Sequence, residues 1–193
     1  ITGALDPGQG AGAKVKNLAA SRSEADTSPE DVEQYAYDDR FAGFVLHPAH
    51  DGLPDGEVLA ALADVELPVI VHAGRGFPPS SIARTVLAYD VPTILTSFGG
   101  YPLDQALMDR AIDLLDDYDT CYLDTSYVRF REPIERALME HPDRVVFGSG
   151  APGAHPNVAI MEILTLDVPE DAMRKVFSNN AGRVVDELAP RSF

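Results

Sequence analysis

The fold of this chain is decided by the stretch Pro68-Val69-Ile70-Val71-His72-Ala73-Gly74. Three β-branched apolar residues follow a proline, a pattern typical of a short strand that is buried on both faces. The run ends at a histidine and a small residue, so a polar side chain stands directly beyond the carboxyl end of the predicted strand. The stretch therefore predicts a parallel strand with a candidate functional group at its end.

The same pattern recurs along the chain. The other apolar runs predicted as strands are Ile1–Leu5, Phe44–Leu46, Thr93–Thr96, Cys121–Leu123 and Val145–Phe147. Amphipathic or capped segments lie between them, and the helices that they predict are Ala13–Ser21, a helix beginning at Ser28-Pro29-Glu30-Asp31, Gly56–Val65 with Asp55 as its cap, Ile82–Ala88, Leu103–Tyr118, a helix from the turn at Pro133 to Glu140, Asn157–Leu164, Glu170–Phe177 and Asn180–Leu188. This alternation predicts a parallel sheet covered by helices.

Polar or small residues cluster just after the predicted strands. These residues are Asp6, His47, His72, Ser97, Asp124 and Gly150. In parallel barrels these positions form the catalytic mouth. We therefore predict an α/β fold with a single domain over residues 1–193, namely a (β/α)8 TIM-like barrel that either lacks or does not show its first βα unit. An open doubly wound sheet is the alternative.

The charge of the chain is strongly negative. Asp and Glu number 31 against 15 Lys and Arg, which gives a formal net charge of −16. The lysines are only Lys14, Lys16 and Lys175, and Asp outnumbers Glu. This balance fits an ordinary acidic cytosolic protein, but it favours a haloarchaeal-type surface whose carboxylates stay hydrated in concentrated salt. It argues against nucleic-acid binding, which needs basic patches.

Several classes of protein are excluded by the sequence. No apolar run approaches the ~18–20 residues of a membrane span, and no secretory signal is present, so we expect a cytoplasmic protein. The single cysteine, Cys121, excludes an intramolecular disulfide and a cysteine-based zinc site, and its apolar neighbours predict an inert core residue. The stretch Gly8–Gly12 lacks the lysine and serine of a nucleotide-binding loop. No pattern predicts an oligomeric state.

Between about Phe41 and Leu188 the chain resembles the amidohydrolase-related family of metal-dependent barrels. The resemblance is carried, in order and spacing, by Gly43-Phe44-Val45-Leu46-His47-Pro48, Pro68–Gly74, Ser97-Phe98-Gly99-Gly100, Tyr122-Leu123-Asp124-Thr125-Ser126, Arg144–Gly150 and Asn179-Asn180-Ala181. It implies a hydrolase or decarboxylase that acts on a small molecule with a divalent metal, namely zinc, manganese or iron. In such a site the metal lowers the pKa of a bound water.

The resemblance also shows which groups are missing. His72 matches a metal-ligand position of the family, whereas Ser97 stands where the family carries a histidine and Gly150 where it carries an aspartate. The family's first-strand His-x-His pair would precede Ile1. The resemblance therefore implies a degenerate catalytic centre.

A rebuilt site is one hypothesis for this centre. Its candidate metal ligands are His72 and His155, and Asp124 is the candidate catalytic residue; His47 and His50 also lie near the presumed mouth. The structural alternatives are a hydrogen-bonded strand end for His47, a solvated loop for His50, a relic that fills the core for His72, a loop for His155, and backbone-amide binding for Asp124.

Arg75 follows the fourth strand of the family pattern and is the candidate substrate-binding residue. It could hold an anionic ligand in the mouth, or it could be a solvated loop charge. The alternative function is therefore a catalytically inactive barrel that binds a small anion or a partner protein.

Overall fold

The computed structural model describes residues 27–185 and 188. The predicted strand Ile1–Leu5 with Asp6, the stretch Gly8–Gly12 and the predicted helix Ala13–Ser21 lie outside the described residues. The helices are α1 (Pro29–Ala36), α2 (Pro48–Asp51), α3 (Gly56–Asp64), α4 (Pro79–Arg84), α5 (Gln105–Asp117), α6 (Arg131–Glu140), α7 (Pro156–Leu164), α8 (Glu170–Arg174) and α9 (Ala181–Val184). The strands are β1 (Phe44–Leu46), β2 (Val69–Val71), β3 (Thr93–Leu95), β4 (Cys121–Asp124) and β5 (Val145–Val146).

The strands form one parallel sheet in the order β1-β2-β3-β4-β5. Each strand pairs with the next one along the chain, and Val45, Ile70, Ile94 and Tyr122 lie in one row across the sheet. A doubly wound sheet would reverse its strand order at a switch point. The sequential order is that of a barrel arc, so the predicted barrel architecture is confirmed and the open-sheet alternative is wrong.

The two faces of the sheet differ in burial. Residues at alternating positions, such as Val69, Val71 and Leu123, are fully buried against helix residues in the main core. The intervening positions Val45 and Ile70 are only partly buried and lie on the inner face of the arc. The outer face therefore supplies most of the hydrophobic stabilisation, and the inner face leaves room for a cavity.

The predicted helix starts are confirmed where a capping residue marked them. Ser28 caps α1 in a capping box with Asp31, each side chain accepting from the other's backbone N–H. Asp55 caps α3 through the N–H of Val58 at 3.1 Å. These local hydrogen bonds need only residues that are close in sequence, which is why the sequence identifies them.

The prediction for Ile82–Ala88 is wrong, because the helix starts earlier and breaks. Helix α4 ends at Arg84, and a 3-10 turn follows at Leu87–Tyr89. Thr85 has non-helical backbone angles, and its hydroxyl donates to the carbonyl of Ser81 at 2.7 Å. Such bonding of a threonine hydroxyl to a preceding carbonyl disturbs a helix end.

The end of the chain also differs from the prediction. Helix α8 stops at Arg174 and continues as a π-helical turn, Lys175–Asn179, and α9 covers only Ala181–Val184 of the predicted Asn180–Leu188, of which 186–187 are outside the described residues. Asn180 directly follows this π-helical turn, and its side-chain amide donates to the carbonyls of Pro142 and Val145. Among the described residues, no helix combines the length and apolarity that crossing a membrane requires.

Candidate functional site

A cavity of about 830 Å³ opens at the carboxyl ends of the strands. Every strand contributes a residue to it from its end or the loop that follows; these residues are His47, His72, Ser97, Asp124 and Gly150. The carboxyl ends of parallel strands meet at one edge of a sheet, which is why residues far apart in sequence converge here. The predicted clustering is therefore confirmed for these five residues, whereas Asp6 lies outside the described residues.

His47 and His72 form the aromatic part of one wall. Their rings stack with centroids 3.3 Å apart and an interplanar angle of 18°. The strand pairing of β1 with β2 places the two residues side by side, one position beyond Leu46 and Val71. The pKa of His72 is lowered, first because the cavity wall partly removes its ring from water and then because His47 is adjacent. The lowered pKa favours a neutral imidazole at position 72.

The described residues do not fit a metal centre as they stand. A metal ion lies close to the plane of each imidazole that ligates it, and two nearly parallel rings at 3.3 Å cannot both direct a lone pair at one ion. Within 27–185 and 188, no three histidine, cysteine or acidic side chains are grouped so as to hold an ion. The metal-ligand role of His72 stays a prediction.

Asp124 presents one saturated oxygen to the protein and one free oxygen to the cavity. Oδ1 accepts from the backbone N–H of Ser97 at 2.9 Å, from the N–H of Ser126 at 2.8 Å and from the Ser126 hydroxyl. Oδ2 accepts nothing from the described residues and is not a buried atom. Burial raises the pKa of Asp124, and the three donors oppose that effect. Oδ1 therefore has the structural role of binding backbone amides. Oδ2 is still able to accept a hydrogen bond from a ligand.

Ser97 reaches Asp124 through an unusual backbone. Ser97 and Phe98 both have left-handed conformations, with φ of 54° and 52°, inside the turn Thr96–Gly99. Residues other than glycine rarely adopt left-handed backbone angles, because their side chains make them strained. Backbone strain of this kind concentrates at functional sites. The buried Ser97 hydroxyl lies 3.4 Å from that of Ser126. Ser97, which stands where the resemblance implies a histidine, therefore supplies a backbone donor to Asp124, and its hydroxyl is no general base by itself.

Tyr101 and Tyr127 line the other side of the cavity. Their rings meet edge to face with centroids 6.1 Å apart. The Tyr127 hydroxyl donates to the carbonyl of Gly150 at 2.6 Å, which fixes the ring over the glycine. Neither tyrosine is predicted as a site residue from the sequence, because an isolated tyrosine in a loop belongs to no motif. The signal that could have identified them is that both follow predicted strand ends.

Arg75 lines the cavity rim but already has a partner. Its Nε donates to Asp104 Oδ2 at 3.0 Å, and its backbone N–H donates to the carbonyl of Tyr101 at 3.1 Å. The hydrogen bond from Arg75 and the helix-start amide of Leu107 lower the pKa of Asp104. Anion binding by Arg75 stays a prediction, and an anion would have to compete with Asp104.

The remaining histidines lie away from this cavity. His155 is exposed and caps α7, with Nδ1 accepting from the N–H of Asn157 at 3.2 Å. His50 is exposed beside Asp51. His141 is the residue at which α6 ends. The structure therefore brings His72, Asp124 and Arg75 together but does not place His155 with them.

The sequence matches a family model described as amidohydrolase over residues 9–186. No curated protein matches it significantly. An uncharacterised TIM-barrel protein of Bordetella bronchiseptica is similar in fold, with a TM-score of 0.63 at 19% identity over 84% of this chain and 73% of the other.

Two decarboxylases are also similar in fold. The 2,6-dihydroxybenzoate decarboxylase from Rhizobium has a TM-score of 0.63 at 14% identity, over 81% of this chain and 66% of the enzyme. A dihydroxybenzoic acid decarboxylase from Polaromonas sp., solved with manganese and the inhibitor 2-nitroresorcinol, has a TM-score of 0.56 at 14% identity, over 81% and 64%. This chain thus spans about two thirds of the length of both enzymes.

Proposed function

The chain belongs to the amidohydrolase family, and from that premise we propose that it binds a small molecule in the strand-end cavity as a member with a degenerate catalytic centre. The observation that carries the proposal is the convergence of all five strand ends on a cavity of about 830 Å³. Ligand sites of this size are typical for small molecules, and the mouth is where barrels place them.

The degenerate centre rests on two residues. Ser97 directs its amide at Asp124 and supplies no imidazole, and Gly150 supplies no carboxylate. Two groups expected to ligate a metal or move protons are therefore absent from their positions. The described residues do not fit a metal ion, so the proposed function includes no metal-dependent step.

A metal-dependent hydrolase or decarboxylase is the second candidate. It is favoured by His72, which stands exposed in the cavity and, with its lowered pKa, in the neutral form that ligates metals. A fold neighbour was solved with bound manganese. This candidate requires His47 or His72 to leave the stacked pair, together with ligands from outside the described residues.

Metal analysis separates the two candidates. The protein is purified in concentrated salt without chelator or immobilised nickel, and its zinc, manganese and iron are measured by elemental analysis. The proposal predicts substoichiometric metal that His72→Ala does not change, with His141→Ala as the matched control outside the cavity. A stoichiometric ion lost in His72→Ala, but not in the control, would establish the metal-dependent candidate instead.

Small-molecule binding is tested separately on chelator-treated protein. Ligand-observed NMR with a fragment library should find binders, and Ala49→Trp should abolish their signals because Ala49 lines the cavity. Met161→Trp, at an exposed position of α7 outside the cavity, is the matched control. Fragments that bind Ala49→Trp as well as the unaltered protein would overturn the proposal.

A further inference from the structure

The charge of the cavity follows from few residues. The described residues that line the cavity include two histidines, one basic side chain, Arg75, and one acidic side chain, Asp124. Arg75 is balanced by Asp104 at 3.0 Å. His47 and His72 stack on each other with ring centroids 3.3 Å apart. Among the described lining residues, Asp124 is therefore the acidic side chain with which no described cation pairs.

The free oxygen of Asp124 is fixed in place. Three donors hold Oδ1 on the protein side. Gly148 packs behind the carboxylate, since a Cβ there would lie 3.0 Å from Asp124 Cγ. The carboxylate therefore cannot turn to satisfy Oδ2 without giving up these contacts. A preorganised acceptor at a cavity wall needs a donor from whatever occupies the cavity.

The aromatic wall suits the same kind of occupant. Tyr101 and Tyr127 present two rings to the cavity at an angle of 74°. The face of a tyrosine ring attracts a cation through its quadrupole. A carboxylate oxygen and two aromatic rings in one cavity are complementary to an alkylammonium or amidinium group.

Resting on the proposed function, we infer that the cavity takes a small molecule bearing a positively charged amino or amidino group, with Asp124 Oδ2 as its acceptor and the Tyr101–Tyr127 pair beside it. The ligand is thus a cation and not an anion. Its positive group donates a charge-assisted hydrogen bond to Oδ2, which is the strongest kind available at this wall.

Three probes of similar size test this inference: benzylamine, benzyl alcohol and benzoate. Binding to chelator-treated protein is measured by ligand-observed NMR titration at neutral pH and constant ionic strength. We expect benzylamine to bind at least about tenfold more tightly than the alcohol or the acid. Benzoate binding equal to or tighter than benzylamine, or no binding of benzylamine at millimolar concentration, would overturn the inference.

Asp124→Asn is the decisive variant. The asparagine oxygen can take the place of Oδ1 and keep its three donors, while the amide NH2 replaces the free acceptor with a donor. Benzylamine affinity should fall at least about tenfold, and benzyl alcohol affinity should change little. Glu162→Gln removes one carboxylate from α7 outside the cavity and is the matched control. Equal losses of benzylamine affinity in both variants would mean that only the overall charge matters, and would overturn the inference.

Asp104→Asn gives a second readout that does not depend on Asp124. Asparagine keeps the cap of α5. Without Asp104 as its partner, Arg75 makes the rim of the cavity more positive, so the ratio of benzylamine affinity to benzoate affinity should decrease. An unchanged preference in both Asp104→Asn and Asp124→Asn would overturn the inference. If the fragment library binds in the cavity while benzylamine does not, the proposed function stands and only the ligand charge is wrong.

Discussion

Tyr127 occupies the space into which a side chain at position 150 would project. A Cβ at Gly150 would lie 3.0 Å from Tyr127 Cζ and 3.1 Å from Cε2, closer than such contacts normally come. The Gly150 backbone has φ of +72°, and its carbonyl accepts from the Tyr127 hydroxyl. The glycine at position 150, where the family resemblance implies an aspartate, and the position of Tyr127 are therefore structurally linked.

This relationship predicts that Gly150→Asp alone is destabilising. We expect a loss of about 2 kcal/mol in the free energy of unfolding, because the new side chain meets the Tyr127 ring and a left-handed backbone. In a Tyr127→Ala background the loss should shrink, since the space is then open. Chemical denaturation of the four proteins of this double-mutant cycle measures the coupling. Additive losses would show that the ring does not exclude the aspartate.

Asn180 is predicted to be a stability determinant and not a site residue. It is fully buried, and its amide donates to the carbonyls of Pro142 and Val145 at 2.8 and 2.7 Å. Asn180→Ala leaves the buried Val145 carbonyl and the partly buried Pro142 carbonyl without this donor, so we expect a loss of about 2–4 kcal/mol. The exposed neighbour Asn179 is the matched control, and Asn179→Ala should stay within about 0.5 kcal/mol. Similar losses in both variants, by urea denaturation, would contradict the assignment.

Arg75 is predicted to become an anion-binding group only when Asp104 no longer pairs with it. In Asp104→Asn we expect the melting temperature to be nearly unchanged, because the pair is exposed and such pairs contribute little. Benzoate should then bind more tightly than to the unaltered protein. Arg75→Gln combined with Asp104→Asn should cancel that gain; a gain that persists without Arg75 would assign the anion to another group.

Cys121 is predicted to be unreactive in the folded protein. Its side chain is fully buried in β4, and burial raises its pKa to about 12. The thiolate is the reactive form, so Ellman's reagent should label the native protein only as fast as it unfolds. Labelling is followed at pH 8 with and without denaturant. Rapid native labelling would mean that the strand opens locally.

The same thiol makes the folded state less stable in alkali. Its pKa is higher in the folded chain than in the unfolded one, where a thiol ionises near ~8.5. The unfolded state therefore loses protons first as the pH rises above this value, and the contribution to stability falls with increasing pH towards 12. Urea midpoints measured from pH 8 upward should decrease.

Salt is predicted to stabilise the protein. A net charge of −16 means that carboxylates repel one another at low ionic strength, and salt screens that repulsion. We expect the melting temperature to fall as salt is reduced from molar concentration to ~0.1 M. Potassium chloride and a chloride-free potassium salt should act alike if screening is the cause. A flat melting temperature across this range would contradict the halophilic interpretation.

The class and order of the elements follow from local patterns in the amino-acid sequence. Val69–Val71 and Cys121–Asp124 are short apolar runs whose alternate residues are buried under covering helices, and Ser28 and Asp55 cap helices through residues three positions away. These signals are local in the chain. They also place His72 and Asp124 at strand ends, and parallel strands bring such ends together without further information.

The contacts that these residues make with one another depend on the tertiary structure. The amide that holds Asp124 comes from Ser97 and the carbonyl that holds Tyr127 from Gly150, residues 27 and 23 positions away. The stacking of His47 on His72 and the pairing of Arg75 with Asp104 likewise join separate loops. Hydrogen bonds and ring contacts act only over a few ångströms, so their partners are fixed by the packing of distant segments and not by any local pattern. That packing sets the charge of the cavity.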